Sequence, residues 1–288
     1  MNKIYRNILL VASLVLINSC SIAGSWVYER ADIYLANYFN EYADFDKTQQ
    51  SNIKNTTKEF HEWFTYNELP NVKSLLLEIK DLPYANSIER LEYLFSRGET
   101  MFNRTNSYFE KEFIKFAISL SDEQIKQIGE HFNEIAEKRI SEIKENNNYL
   151  KSSEESLLKG FKRIGIKLRQ DQRENLELLV SKRKDLRIQW SENQKKWTEE
   201  LLSILNNRQG VDFDSKLKFH LGKLQDLGSE EFKINSQANQ TILLQMIFNV
   251  FISLDENQIK KFSRTIDLYI NSIERILSKK NKENSPLM

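Results

Sequence analysis

Leu120-Ser121-Asp122-Glu123-Gln124-Ile125 is the stretch on which the fold turns. Ser121 is placed to accept a hydrogen bond from an exposed first-turn N–H, and Gln124 stands three residues on, where it completes a capping box. Leu120 can staple onto Ile125 across the helix start. Beyond it, Ile125, Ile128, Phe132, Ile135 and Ile143 recur at a spacing that lines one helix face. The same element returns as Phe45-Asp46-Lys47-Thr48-Gln49 and as Leu254-Asp255-Glu256-Asn257-Gln258, with a weaker copy at Leu168-Arg169-Gln170-Asp171-Gln172. Asp46 with Gln49, Ser121 with Gln124 and Asp255 with Gln258 therefore read as helix starts. Each cap contributes about 1 kcal/mol. Their uneven intervals argue against a solenoid of equal repeats.

Working outward, Ile259, Phe262, Ile266, Tyr269, Ile273 and Leu277 mark a second amphipathic helix, and the nearly apolar run Leu243 to Leu254 marks a buried one. Gln170 to Asn207 contains neither Gly nor Pro and is expected to be the longest helix. Breaks are expected at Glu68-Leu69-Pro70, Leu82-Pro83, Asn146 to Ser153, Gly210 and Gly228-Ser229. With only 8 Gly and 3 Pro in 288 residues, the chain lacks the turns a sandwich or barrel needs. The expected fold is all-α: long antiparallel helices in an irregular bundle, preceded by a cleaved lipoprotein signal peptide.

That leader occupies residues 1–19. Lys3 and Arg6 precede an apolar run from Ile8 to Ile17, too short for a membrane span of roughly 20 residues but suited to a signal peptide. Cys20 follows Ile17-Asn18-Ser19 and is the only cysteine in the chain. The segment resembles a bacterial lipoprotein signal in which Cys20 becomes the lipidated first residue. Ser21, in place of an Asp, implies the periplasmic face of an outer membrane. Residues 20–25 would form a tether of at most about 18 Å between lipid and Trp26, residues 26–278 a single helical domain with a possible subdivision near 150 or 210, and residues 279–288 a flexible tail.

With the only Cys used for the anchor, no disulfide can brace the body. Lys and Arg total 42 against 41 Asp and Glu, a balance that does not favour nucleic acid. Locally the charge is less even. Lys162, Arg163, Lys167 and Arg173 lie in a basic middle segment that continues through Lys182, Arg183, Lys184 and Arg187. Residues 121–155 are acidic, with Glu130, Glu134, Glu137, Glu142 and Glu145. Two readings stand: antiparallel neighbours trading surface ion pairs, or a basic face for anionic lipid or an acidic client protein. Trp26, Tyr28, Tyr34, Tyr38 and Tyr42 likewise suit either a membrane interface or burial against the helical core.

Chemical motifs are sparse. His61, His131 and His220 form no zincin or di-iron pattern, and there is no nucleophile elbow or phosphate loop. Adjacent glutamates (154-155, 199-200, 230-231) do not face each other on a helix. No catalytic residue, metal or cofactor is expected.

The chain resembles the bacterial lipoproteins of domain-of-unknown-function (DUF) family 6279. The resemblance rests on Tyr28 to Tyr42, Asp44-Phe45-Asp46 with Gln49, Trp63 with Glu68-Leu69-Pro70, Leu120 to Gln124, Gly165 before Leu168 and Gln172, and Trp197 with Leu201-Leu202 and Arg208. Phe64-Thr65 stands where the family tends to place a His-Arg pair, and Arg169 where a Ser or Thr is usual. The resemblance implies an all-helical, envelope-anchored protein and supplies no activity. The capping elements are also similar to those of Spy-type periplasmic chaperones. Three functions are therefore weighed: an envelope scaffold that binds another envelope protein, a chaperone-like binder of unfolded periplasmic proteins, and an enzyme acting on cell wall or lipid.

Overall fold

The structure is a computed structural model that describes residues 27–85, 87–223 and 227–284. The leader, Cys20 and Trp26 lie outside these. Eleven α-helices and no strand occur among the described residues, so the chain is all-α. In chain order they are α1 (Ala31–Asn40), α2 (Lys47–Asn67), α3 (Leu69–Lys80), α4 (Ile88–Ile118), α5 (Asp122–Glu145), α6 (Tyr149–Arg163), α7 (Gln170–Val180), α8 (Arg187–Asn206), α9 (Phe213–Gly222), α10 (Glu230–Ile252) and α11 (Glu256–Asn284).

Local chemistry explains most boundaries. Asp46, Ser121 and Asp255 cap α2, α5 and α11, and Gln49, Gln124 and Gln258 return the bond to the cap backbone. Glu68 separates α2 from α3, with Pro70 in the first turn of α3, where its missing N–H costs nothing. The α6–α7 link turns at Gly165, whose φ of 83° is left-handed.

The expected long helix from Gln170 to Asn207 is in fact two helices, α7 and α8, and the longest is α4 with 31 residues. The break comes from a tertiary contact rather than from a helix-breaking residue. Asn239 on α10 is buried, accepts from the Lys184 backbone N–H at 2.9 Å and donates to the Lys184 carbonyl at 2.8 Å. Asp185 then accepts from the Arg187 N–H at 3.0 Å as α8 begins. Side chains take the place of the helical ladder at this point. At the other end, α11 runs on to Asn284, into the stretch expected to be a tail.

Two packings organise the body. α5 and α8 lie antiparallel: Asp122 pairs with Arg208 at 2.7 Å, Arg139 donates to Gln194, and Arg187 reaches the Asn146 carbonyl at 3.1 Å. Gly129 lets the helices close, because a Cβ there would stand 2.8 Å from Leu202 Cδ1. α3 and α11 are also antiparallel, joined by Lys73–Glu274 at 2.7 Å and Lys80–Asp267 at 2.6 Å. Three apolar clusters result. The largest spans Leu82 to Ile270 in sequence, a second gathers Phe45, Ile125 and Leu205, and a third joins Tyr28 and Leu69 to Ile273 and Ile276.

Candidate interaction surface

The helix-start glutamines do more than cap. The starts of α2 and α5 meet, and each amide serves the other: Gln49 Nε2 donates to Gln124 Oε1 at 3.0 Å and Gln124 Nε2 to Gln49 Oε1 at 2.6 Å. The remaining donors reach carbonyls across the junction, Gln49 to Ser119 at 2.9 Å and Gln124 to Asp44 at 3.0 Å. The starts of α7 and α11 repeat this arrangement. Gln258 donates to Gln172 at 2.9 Å and receives from it at 3.2 Å. Gln172 then reaches Ser253 O at 3.1 Å, and Gln258 reaches Lys167 O at 2.8 Å. Ser253 precedes Leu254 as Ser119 precedes Leu120, and Lys167 precedes Leu168 as Asp44 precedes Phe45. The two clasps therefore match position for position.

A capping box accepts either Glu or Gln. Only Gln has the N–H donors that the reciprocal pair requires. The recurrence of Gln in all four elements, never Glu, was the sequence signal for this pairing. Arg169 occupies the cap position of the second clasp and offers no acceptor. Its guanidinium instead crosses to Asp255 at 3.0 Å, Gln258 Oε1 at 2.7 Å and Ser253 O at 3.0 Å. Asp171 and Asp255 offset a cation that would otherwise oppose the positive end of α7. All four glutamines are buried. Their amides are bonded inside the molecule.

Several other buried polar groups are also engaged, whereas among the described residues His61 Nε2, Arg183 Nε and Trp190 Nε1 are buried without a hydrogen-bond partner. The Glu68 carboxylate, with its side chain 2% exposed, accepts from Arg104 Nε at 2.6 Å and Nη2 at 2.8 Å. This bidentate bond raises the pKa of Arg104. Phe64 and Thr65 take structural places: Phe64 packs in the third cluster, and Thr65 Oγ1 lies 2.8 Å from Tyr28 Oη while donating to the His61 carbonyl at 2.7 Å. His61 packs its ring 4.7 Å from that of Tyr28, and burial lowers its pKa. His131 lies against Tyr42, with ring centroids 4.4 Å apart. Trp197 and His220 stack at 4.8 Å, each donating to the other's carbonyl, at 3.2 and 2.9 Å. Among the described residues no group of three or more His, Cys, Asp and Glu could hold a metal ion. No helix there is long and apolar enough to cross a membrane.

The aromatic residues near the N-terminus divide. Tyr28 is buried in the core, and burial pushes its phenol pKa up. Tyr38 and Tyr42 turn inward, their hydroxyls 2.7 Å apart, and Tyr42 packs against Phe132. Tyr34, 42% exposed, remains on the surface beside Ile33. Among the cations, Lys162, Arg163 and Lys167 are exposed and Arg173 is half-buried. The acidic face of α5 forms ion pairs within its own helix, Lys126 with Glu123 and Glu130, and not with these cations among the described residues. The basic segment packs instead along α11. Tyr269 Oη donates to Arg163 O at 2.8 Å, and a Cβ on Gly165 would stand 2.8 Å from Lys261 O.

Fold and clasps together define an all-helical protein with two Gln-paired crossings of helix starts. The family of unknown function DUF6279 matches residues 41–233, and the chain belongs to it. No curated protein and no solved structure matches the chain. The match covers the first clasp and ends early in α10, before Gln258.

Proposed function

We propose that this protein is a lipid-anchored component of the bacterial cell envelope that works by binding another envelope protein rather than by catalysis. The observation that carries the reading is the placement of the only cysteine, Cys20, directly after a basic start and an apolar run of signal-peptide length. Ser21 favours the periplasmic face of the outer membrane, and stable anchoring there takes more than one acyl chain. A scaffold role is supported by how these buried groups are used: the clasps, Glu68–Arg104 and Trp197–His220 are each spent on holding the fold.

Metabolic labelling with a palmitate analogue tests the anchor. The wild-type chain should carry label and Cys20→Ala should remain unprocessed and unlabelled; equal labelling of both would refute the anchor. Photo-crosslinking in cells from Ile33 and Tyr34, followed by mass spectrometry, tests the scaffold. One recurrent envelope protein is expected at those positions, and the absence of any crosslinked partner would refute it.

A further inference from the structure

The clearest concentration of unspent charge lies where the α6–α7 link runs along α11. Three backbone contacts set the register: Arg163 O on Tyr269, Gly165 against Lys261, and Lys167 O on Gln258. Lys162, Arg163 and Lys167 are thereby laid beside Lys260, Lys261 and Arg264, and all six are exposed. Among the described residues none of the six forms an ion pair within 4.0 Å. Nearby carboxylates are already held: Asp255 by Arg169, Asp267 by Lys80 and Glu274 by Lys73. Glu256, at the start of α11, offsets one charge of the six.

The same surface carries apolar groups. An open groove beside α11 is lined by Tyr84, Ile259 and Leu268 together with Lys260 and Arg264. Tyr84 is 75% exposed and Leu268 44%. Aromatic and aliphatic side chains standing among cations are what an anionic bilayer surface selects. A bilayer interface takes up both the charges and the apolar tips, whereas a purely polyanionic partner would use the charges alone. The far end of the helix points to the same occupant, because Lys279 pairs with Glu29 at 2.7 Å, close to where the chain leads back to Cys20. Eighteen residues separate Lys261 from Lys279, about 27 Å along a helix, so Glu29 and the basic surface lie against one element.

We propose that the outer face of α11, with the α6–α7 link, docks on anionic phospholipid headgroups and lays the helical body along the membrane. The proposal rests on the anchor reading only for which membrane is reached; affinity for anionic lipid does not require the acyl chain.

The test is lysine acetylation footprinting of the full chain on two kinds of vesicle, phosphatidylcholine alone and phosphatidylcholine with about one third phosphatidylglycerol. Lys162, Lys167, Lys260 and Lys261 should lose reactivity severalfold on the anionic vesicles only, and high salt should restore it. Lys126, at the first clasp, should not change. Combining Lys167→Glu, Lys260→Glu and Arg264→Glu should cut the preference for anionic over neutral vesicles by about a hundredfold or more, with the helical circular dichroism retained. Equal protection on both vesicles, or none on the anionic ones, would overturn the proposal. So would protection by soluble polyglutamate without any response to vesicles, which would assign the surface to an acidic protein. Failure of the anchor reading is separately visible as a Cys20 peptide without acyl mass, whatever the footprint shows.

Discussion

Gln49 and Gln124, 75 residues apart, satisfy each other's side-chain amides in a buried crossing of two helix starts, and Gln172 and Gln258 repeat the bond across 86 residues. Capping and tertiary docking are thus done by the same atoms. The caps orient each Gln, and the oriented Gln then recognises its partner.

Replacing Gln124 with Glu separates the two roles. The carboxylate keeps the capping box with Ser121 but cannot donate to Gln49 or to the Asp44 carbonyl. Gln124→Glu is expected to cost about 1–3 kcal/mol, measured by urea denaturation. In a double-mutant cycle, Gln49→Ala and Gln124→Ala should couple by about 1 kcal/mol or more. Additive losses would show that the pair contributes only as caps.

Gly165 is held at a φ of 83° with Lys261 O and Thr265 Oγ1 in the space a Cβ would need. Gly165→Ala therefore meets both a left-handed backbone and a backbone oxygen that cannot step aside. A loss of more than about 2 kcal/mol is expected, whereas Gly98→Ala on α4, with open space around it, should be neutral or stabilising. Thermal melting of the two variants checks the contrast.

Much of the fold was legible because helix starts and amphipathic faces are local. The caps at Asp46, Ser121 and Asp255 and the breaks at Glu68 and Gly210 follow from neighbours in sequence. The break between α7 and α8 was not legible, since Asn239, which makes it, lies 55 residues from Lys184. The division of the tyrosines was hidden for the same reason: a spacing of four puts Tyr34, Tyr38 and Tyr42 on one face, but only docking decides which of them is covered. The basic surface was half legible, with Lys162, Arg163 and Lys167 visible in sequence and their neighbours on α11 not.

Glu68 gives up water for Arg104. Arg104→Met leaves its carboxylate buried with only a 3.4 Å contact from Asn71 Nδ2. Because the Arg104 side chain is 43% exposed, the loss should fall near the lower end of the range for breaking a buried pair, about 3 kcal/mol. Adding Glu68→Gln to Arg104→Met should recover much of it. Chemical denaturation of the single and double variants tests this.

His220 links stability to acidity. Burial foremost lowers its pKa, against the raising effects of the Trp197 carbonyl and Glu200, while Lys223 lowers it further. The folded state therefore holds His220 neutral, and below about pH 6.5 the unfolded chain takes up the proton first. Stability should fall as pH drops through that value, by up to about 1.4 kcal/mol per pH unit until the folded group also titrates. His61 shifts in the same direction. His220→Gln should flatten part of the slope in urea melts taken at about pH 7.5 and 5.5; an unchanged slope would remove His220 as a contributor.

The ion pair between Glu29 and Lys279 brings the first and last described helical segments to one place on the body. A fluorophore at position 29 and a quencher at position 279, 250 residues apart in sequence, would therefore report folding of the whole body as a single contact.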